Sequence, residues 1–272
     1  MSADLDKILN DAENYIKNIG KFYKDKLYIE QVEKNIYFKE KEIKLDTIAS
    51  QVMDKGISRS PKAEKQTVVD LFGNVIEQKE DWEFTETLDD MNSRICNCMK
   101  CVLGQTRTKF VFGVGNPHAD IVMVGEAPGA DEDQQGEPFV GRAGQLLNKI
   151  LVATGFTREE VYICNILKCR PPGNRNPMPD EIEKCEPYLK YQLELIKPKI
   201  ILALGKVAAE TLLKKREPLN KMRGKIHTYN GIKMMVTFHP AALLRNPQWK
   251  RPTWEDMQEF KKIYEQLKDK KN

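Results

Sequence analysis

Four cysteines in the second part of the chain are spaced so that they could hold a metal centre. Cys98 and Cys101 form a C-x2-C pair in CNCMKC, while Cys169 and Cys185 lie in KCRPPGNRNPMPDEIEKC. A C-x2-C pair brings two thiolates to one centre without strain, and a proline-rich loop followed by a helix lets the second pair fold back. The spacing does not name the metal. An iron–sulfur cluster, a structural zinc ion and unliganded reduced thiols therefore remain open.

Other residues with useful chemistry follow four short apolar runs. These runs are DIVMVGEA, VYICNIL, KIILALG and KMMVTF, and each is typical of a buried strand. Glu126 and Ala127 end the first run, Asn165 lies late in the second, Gly205 ends the third and His239 follows the fourth. Ligands of parallel α/β sheets bind beyond the carboxyl ends of the strands. The residues at these ends are therefore predicted to line one site.

The elements that position these residues alternate between strands and helices. Helical patterns begin near Arg142, Asp180, Lys206 and Thr253, between and after the apolar runs. Such alternation indicates βαβ units and a mainly parallel sheet that is covered on both faces. We predict a three-layer α/β/α fold with a central four-stranded parallel sheet.

The first part of the chain has a different composition. Residues 1–93 are rich in lysine and glutamate, and Leu5, Ile8, Leu9 and Tyr15 have helical spacing. Residues 56–80 have the composition of a flexible linker, within which TVVDLFGNVIE is predicted to be a short ordered segment. We therefore predict an N-terminal, mostly helical and partly flexible extension over residues 1–93, of unknown role and partner, and an α/β domain over residues 94–272.

The remaining composition limits the protein class. With 44 basic and 40 acidic residues, the net charge of +4 is too small to establish a polyanion partner, so any nucleic-acid surface must be a local patch. Six cysteines in 272 residues give no signal of a disulfide scaffold, and no apolar run is long enough for a membrane span. The N-terminus lacks the pattern of a signal peptide, which favours a cytoplasmic protein. Cys164, in an apolar run, is interpreted as a small core residue. Cys96 is an alternative that could replace one of the four cysteines as a metal ligand.

Three stretches, in order, resemble the family 4 uracil-DNA glycosylases. They are VGEAPGADEDQQGEPFVGRAGQLL, ICNILKCRPPGNRNPMPDEIEKCEPYL and TFHPAALLR, interleaved with the four cysteines, and the resemblance extends from about Cys98 to Leu267. It implies that residues 94–272 are a catalytic domain that hydrolyses the N-glycosidic bond of uracil in DNA and initiates base excision repair. It also implies a 4Fe-4S cluster held by Cys98, Cys101, Cys169 and Cys185, and uracil-containing DNA as the partner of a monomeric protein.

The resemblance assigns the base pocket residue by residue. Uracil in a duplex must be flipped into a pocket, which needs an aromatic plate and polar readers. Phe139 matches the family residue that stacks on uracil, although a phenylalanine also serves in core packing. Asn165 can pair with the N3–H and O4 edge of uracil and reject cytosine, although it could instead satisfy neighbouring backbone groups. Ala127 lies beside it in the pocket.

The resemblance also assigns the catalytic groups. His239 matches the histidine that hydrogen-bonds uracil O2, where charge develops as the bond breaks. Glu126 lies in the motif that positions water, and it could either orient the attacking water or stabilise the charged sugar. Glu132 falls where some members place a side chain near uracil C5, which would exclude thymine.

DNA contacts are expected from two loops. In HPAALLR, Leu243 or Leu244 would fill the gap left by the flipped base, and Arg245 would hold a phosphate. Hydrophobic loop residues also commonly pack inward. Arg170 and Arg175, in CRPPGNRNP, would hold phosphates on a loop that the cluster organises.

Two other interpretations stay open at this point. One is another branch of the same superfamily with broader base specificity, such as family 5, which has GLAPA where this chain has GEAPG. The other is a metal-stabilised DNA-binding module without catalysis, which would bind uracil-free DNA equally well and release no base.

Overall fold

The computed structural model describes residues 79–269 and two short antiparallel strands, Val68–Val69 (β1) and Val75–Ile76 (β2). The predicted helical pattern from Leu5 to Tyr15 lies outside the described residues. Within the described part, the main element is a six-stranded sheet. Its strands are Val114–Gly115 (β3), Ile121–Gly125 (β4), Tyr162–Asn165 (β5), Ile200–Leu204 (β6), Ile226–Tyr229 (β7) and Ile232–Thr237 (β8).

The sheet has the strand order β3-β5-β4-β6-β8-β7. The central strands β5, β4, β6 and β8 are parallel to one another, whereas β3 and β7 pair antiparallel at the two edges. The four central strands are those that the apolar runs predict. All residues of β4 and β6 are buried, as expected for strands covered on both faces.

Helices lie in sequence between and after the strands. They are Leu88–Ile95 (α1), Leu103–Thr106 (α2), Ala130–Gln135 (α3), Arg142–Thr154 (α4), Pro179–Ile196 (α5), Lys206–Leu213 (α6), Leu219–Met222 (α7), Pro240–Arg245 (α8) and Lys250–Asp269 (α9). Short 3₁₀ turns occupy Asp81–Phe84, Pro172–Asn174 and Pro247–Trp249. The predicted starts near Arg142 and Lys206 are confirmed, and α5 and α9 begin one and three residues before the predicted positions, at Pro179 and Lys250.

The two faces of the sheet bury separate cores. Alternate strand residues such as Val122, Val124 and Ile201 pack with α1, α5 and α6. Their neighbours Ile121 and Met123 point the other way and pack with α4 and α9. Because side chains alternate along a strand, this division confirms the predicted three-layer α/β/α fold.

The predicted number of strands is wrong, because the sheet has six strands rather than four. Strand β3 has only two residues, too few to give a periodic signal. Strand β7 is mostly solvent-accessible and turns into β8 through Asn230 and Gly231, both with positive φ, of 46° and 83°. An Asn-Gly pair is the usual two-residue hairpin turn, so this strand could have been identified from the sequence.

Residues directly before the predicted domain start pack on the same core. The side chains of Trp82, Leu88 and Met91 are buried there, and the ring of Trp82 lies 4.9 Å from that of Tyr188 in an edge-to-face contact. The division between residues 1–93 and 94–272 stays a prediction. In the part of the chain that the structure describes, no helix combines the length and the apolar character needed to cross a membrane.

Candidate active site

The carboxyl ends of the central strands surround a cavity of about 310 Å³. Its lining includes all the residues predicted for the base pocket and for catalysis, and two of those predicted to contact DNA. The first group is Glu126, Ala127, Glu132, Phe139, Asn165 and His239, and the second is Arg175 and Arg245. The rule that ligands bind beyond the strand ends therefore selects residues that the fold brings together. Arg170, Leu243 and Leu244 do not line the cavity.

Two glycines at strand ends make room for the functional side chains. A Cβ atom on Gly125 would lie 2.2 Å from Asn165 Oδ1 and 2.8 Å from the ring of Phe139. A Cβ atom on Gly205 would lie 2.9 Å from the Cβ of His239, and Gly205 also has a positive φ of 94°. No larger residue fits at either position without moving the cavity wall.

Asn165 is the last residue of β5 and is 2% exposed. Among the described residues, its Oδ1 is the one buried side-chain polar atom that has no hydrogen-bond partner. A buried acceptor without a partner costs about 1–3 kcal/mol. Its oxygen therefore does not satisfy a neighbouring backbone group, and it is available to accept a hydrogen bond from a ligand in the cavity.

Phe139 lies on the loop between α3 and α4 in a left-handed conformation, with φ of 55°. Its ring is 5% exposed, and its centroid lies 5.4 Å from the His239 ring at an angle of 31°. A Cβ atom on Gly144 would lie 1.7 Å from the Phe139 carbonyl oxygen, so the loop packs directly on α4. Phe139 both lines the cavity and belongs to a buried core cluster, so its core-packing role is present and its stacking on uracil stays a prediction.

His239 is the N-cap of α8 and is followed by Pro240. Its Nδ1 accepts a hydrogen bond from the backbone N–H of Ala241 at 3.1 Å. Burial, together with the weaker effect of the positive charge of Arg245, lowers the pKa of His239 to about 4. The imidazole is therefore neutral at pH 7, and because Nδ1 is the acceptor, Nε2 carries the proton.

The two glutamates of the cavity have different environments. Burial raises the pKa of Glu126, and the charge of Arg245 opposes this shift. Glu132 instead accepts hydrogen bonds from the backbone N–H groups of Gly129 and Gly141, at 3.0 and 3.3 Å. Glu132 thus joins the loop after β4 to the loop that carries Phe139, a role that the sequence did not indicate.

The loop residues expected to contact DNA are separated by their exposure. Leu243 is 1% exposed and packs inward, whereas Leu244 is 40% exposed. Arg175 forms a two-pronged ion pair with the fully buried Glu181, at 2.9 and 2.6 Å, and Arg170 donates to Asn174 Oδ1 at 2.7 Å. Both arginines thus already hold their own loop together.

The four predicted metal-binding cysteines lie on one side of the sheet and belong to the same core region or pack against it. Hydrogen-bond donors point at their sulfur atoms. Tyr188 Oη donates to Cys98 at 3.2 Å, Arg107 Nη1 to Cys169 at 3.3 Å, and the backbone N–H of Lys168 to Cys185 at 3.3 Å. Such donors suit thiolate ligands, whose negative charge they stabilise. In residues 79–269, no three His, Cys, Asp or Glu side chains are grouped tightly enough to hold a metal ion.

The two other cysteines have separate positions. Cys164 is 1% exposed within β5, which confirms its interpretation as a core residue. Cys96 donates from Sγ to the carbonyl oxygen of Ser93 at 3.4 Å, at the end of α1.

Comparison with known proteins identifies the family. The family model of the Uracil DNA glycosylase superfamily matches residues 112–268. A Type-4 uracil-DNA glycosylase of Archaeoglobus fulgidus is 47% identical over 188 residues, which cover 66% of this chain and 93% of that protein. One of Saccharolobus solfataricus is 44% identical over 194 residues, which cover 68% of this chain and 88% of that protein. This chain belongs to the type-4 uracil-DNA glycosylases.

The type-4 assignment confirms the resemblance drawn from the three sequence stretches. A Type-5 uracil-DNA glycosylase of Pyrobaculum aerophilum is 28% identical over 188 residues, covering 57% of this chain and 83% of that protein. The type-4 relatives are thus clearly more similar to this chain than this type-5 protein is.

The type-4 domain also contains supporting residues that the sequence did not indicate. Arg158 donates to the carbonyl oxygen of Pro138 at 2.6 Å and to Asn148 Oδ1 at 3.1 Å, so it fixes the loop before Phe139. Lys168 is fully buried and donates to the carbonyl oxygen of Asn165 at 2.9 Å. Each contact joins residues that are too ordinary in type, or too far apart in the chain, to be recognised as a motif.

Proposed function

We propose that this type-4 protein hydrolyses the N-glycosidic bond of uracil in DNA and leaves an abasic site, the first step of base excision repair. The observation that carries the proposal is the cavity itself. There the buried, unpartnered Oδ1 of Asn165, the ring of Phe139 and the neutral imidazole of His239 lie around one space. The relatives from Archaeoglobus fulgidus and Saccharolobus solfataricus are both named uracil-DNA glycosylases, which supports the proposal.

Base selection is assigned to Asn165 and Phe139. The unpartnered Oδ1 of Asn165 requires a donor, and the N3–H of uracil supplies one while O4 accepts from the amide nitrogen. Cytosine presents an acceptor and an amino donor in the reverse arrangement, so it would leave polar groups unpaired. Phe139 would stack on the flipped base and offset part of the lost stacking in the duplex.

Bond cleavage is assigned to His239. As the bond breaks, negative charge develops on uracil O2, and a fixed Nε2–H donor stabilises this charge more than it stabilises the ground state. The hydrogen bond from Ala241 to Nδ1 fixes the required tautomer. The low pKa keeps the ring neutral, so it acts as a hydrogen-bond donor and not as a general acid.

Glu126 is assigned to the step in which water attacks the sugar. This residue lies in the cavity, and its carboxylate would orient water or stabilise the positive charge on the sugar. Either role requires the ionised form. Because burial raises the pKa of Glu126, the reaction should slow as the pH falls through that raised value.

We also propose that Cys98, Cys101, Cys169 and Cys185 hold a 4Fe-4S cluster. The Tyr188, Arg107 and Lys168 donors that point at three of these sulfur atoms fit bound thiolates. When bound, the cluster would cross-link the segment before β3 to α5 and thereby fix the loop between Cys169 and Cys185. A structural role is preferred to a redox role, because the chemistry assigned to the cavity needs no electron transfer.

DNA contacts are assigned to the exposed part of α8. Leu244 is exposed and would fill the gap left by the flipped base, whereas Leu243 packs inward and would support the helix. Arg245, at the cavity, would hold a phosphate. The monomeric state and the cytoplasmic location stay predictions.

The test is incubation of the purified protein with an oligonucleotide that contains one uracil, followed by alkaline cleavage at abasic sites. We expect cleavage at the uracil and none in the same oligonucleotide with cytosine or thymine at that position. Binding to both oligonucleotides without base release would indicate a DNA-binding module instead. Iron and zinc analysis of the anaerobically purified protein tests the cluster, for which about four irons per chain are expected.

A further inference from the structure

A buried carboxylate lies behind the segment that leads into His239. Asp256, on α9, is 3% exposed. Its Oδ2 accepts from Thr237 Oγ1 at 2.7 Å and from Arg223 Nε at 3.0 Å, and its Oδ1 accepts from Arg223 Nη2 at 2.8 Å. We call Arg223, Thr237 and Asp256 the Asp256 network. It joins the turn after α7, the end of β8 and the first half of α9.

The Asp256 network also fixes the residue between Thr237 and His239. The Arg223 guanidinium lies 5.3 Å from the centroid of the Phe238 ring, and this ring stacks on Trp249 at 4.8 Å and 16°. Arg223 donates as well to the carbonyl oxygen of Pro252, in α9. Both residues that precede His239 are thus held through their side chains.

The backbone around the network is equally constrained. The N–H of Gly224 donates to the carbonyl oxygen of Val236 at 3.2 Å, and a Cβ atom on Gly224 would lie 3.0 Å from Asp256 Oδ1. The carbonyl oxygen of Thr237 accepts from the N–H of Gly205 at 2.9 Å. Gly205 is the residue whose missing side chain makes room for His239. The network therefore fixes the same short segment that the cavity depends on.

The cost of the arrangement indicates a purpose beyond simple packing. Asp256 is buried and the Arg223 side chain is 20% exposed, and an ion pair with a buried member contributes little net stability compared with apolar residues of similar size, because the buried charge loses its hydration. A fully hydrogen-bonded buried network does, however, hold its members in one geometry. None of the three network residues lines the cavity, so none of them would touch a base held there.

We propose that Arg223 and Asp256 are positioning residues for His239. They act through Thr237 and Phe238 and hold the imidazole where its Nε2–H meets the charge that develops on uracil O2. This inference rests on the proposed function. Small displacements of a catalytic group are costly, and a shift of about 1 Å can lower a rate about a hundredfold.

The first test uses Thr237→Val, which removes one hydroxyl and keeps the Arg223–Asp256 pair. We expect the single-turnover rate of uracil release at saturating enzyme to fall by about tenfold to a hundredfold, with unchanged DNA affinity. The matched control is Thr154→Val, which removes another buried hydroxyl. That hydroxyl donates to the carbonyl oxygens of Ile150 and Leu151 in α4 and not to a residue of the network. This control variant should release uracil at the wild-type single-turnover rate.

The decisive comparison repeats Thr237→Val in a His239→Ala background. If the network acts through His239, the added loss should disappear there, because the group it positions is gone. The same loss in both backgrounds would indicate a general structural role and overturn the inference. Arg223→Lys should recover part of the rate that Arg223→Ala loses, since a lysine keeps one of the contacts to Asp256.

A second measurement does not depend on catalysis. The chain has three histidines, so nitrogen-15 labelling of histidine gives few imidazole signals, and His239→Ala identifies the one that belongs to His239. Thr237→Val should shift or broaden that signal, and Thr154→Val should not. An unchanged His239 signal would overturn the inference even if the wild-type protein released no uracil. A wild-type protein with no release but a shifted signal would instead refute the proposed function alone.

Discussion

The residues from Asn165 to Cys169 connect the cavity to the region around the cysteines, and these two regions differ in how their buried polar groups are paired. At one end, Asn165 presents to the cavity a buried oxygen that has no hydrogen-bond partner. Three residues later, the fully buried Lys168 donates to the Asn165 carbonyl oxygen at 2.9 Å and to Gln192 Oε1 at 2.6 Å. Gln192 in turn donates to the Phe112 carbonyl oxygen and to Tyr162 Oη, at 3.1 and 3.3 Å.

The unpaired oxygen and the paired network therefore have different roles: the first is available to bind a ligand, and the second stabilises the fold. A buried polar group without a partner is costly, so it persists where a ligand supplies the partner. A buried network whose members are all paired holds a geometry and binds nothing. The predictions that follow test whether the cavity can lose its polar groups without loss of stability while the region around the cysteines cannot.

The largest effect is expected for Cys169→Ser. Loss of one ligand should remove the cluster and lower the melting temperature by about 10 °C or more, because the bound centre stabilises only the folded chain. Iron analysis and thermal unfolding measure both effects. The matched control is Cys96→Ser, since Cys96 Sγ is directed at the Ser93 carbonyl oxygen, and it should keep its iron. Equal iron loss in both variants would show that Cys96 is a ligand.

A large effect on rate alone is expected for His239→Ala. The variant should lose about 2–4 kcal/mol of transition-state stabilisation, as other preorganised donors to a developing oxyanion do. Single-turnover kinetics at saturating enzyme separate this loss from DNA binding. A wild-type single-turnover rate would contradict the assignment and leave His239 with only a role in shaping α8.

The paired substitution Lys168→Met and Asn165→Ala tests the comparison directly. Lys168→Met leaves Gln192 Oε1 and the Asn165 carbonyl oxygen without a donor and should lower the free energy of unfolding by about 2–4 kcal/mol. Asn165→Ala removes an unpaired acceptor and should change stability by less than about 1 kcal/mol while it abolishes base selection. Urea unfolding and uracil release measure the two outcomes. An equally destabilised Asn165→Ala would show that its amide also supports the fold.

The pH dependence of the single-turnover rate tests Glu126. A carboxyl group whose pKa is raised becomes protonated at a higher pH than an ordinary glutamate does. As the pH is lowered, the rate should therefore begin to fall before the pH reaches about 4.3, the usual pKa of a glutamate. His239, with a pKa of about 4, stays neutral over most of the pH range in which the rate falls. Glu126→Gln should lower the rate and remove the part of this fall that occurs at the higher pH values. An unchanged profile would exclude Glu126 as the titrating group.

The smallest effect is expected from the exposed leucine of α8. Leu244→Ala should slow release from paired uracil several times more than release from single-stranded uracil, because only the duplex has a gap to fill. Leu243→Ala should lower stability by about 2–4 kcal/mol, since Leu243 is buried. Equal rate losses on both substrates for Leu244→Ala would argue against a wedge.

The sequence by itself determined the layer architecture and most of the cavity. Four apolar runs predict the four parallel strands, and the strand-end rule selects Glu126, Asn165 and His239 because parallel strands place their carboxyl ends along one edge. It could not give the edge strand β3, because two residues carry no periodicity. Only their different burial identifies Leu244, and not Leu243, as the proposed wedge, since two adjacent leucines look the same in a sequence.

Only the tertiary structure decided how the site is held. Asp256 and Arg223 are 33 residues apart, and Tyr188 and Cys98 are 90 residues apart, yet each pair is in hydrogen-bond contact. The lack of a partner for Asn165 Oδ1 is likewise a property of everything that surrounds it. Residue types and local spacing specify strands, turns and motifs. Hydrogen bonds between distant segments depend on how the packed layers bring those segments together.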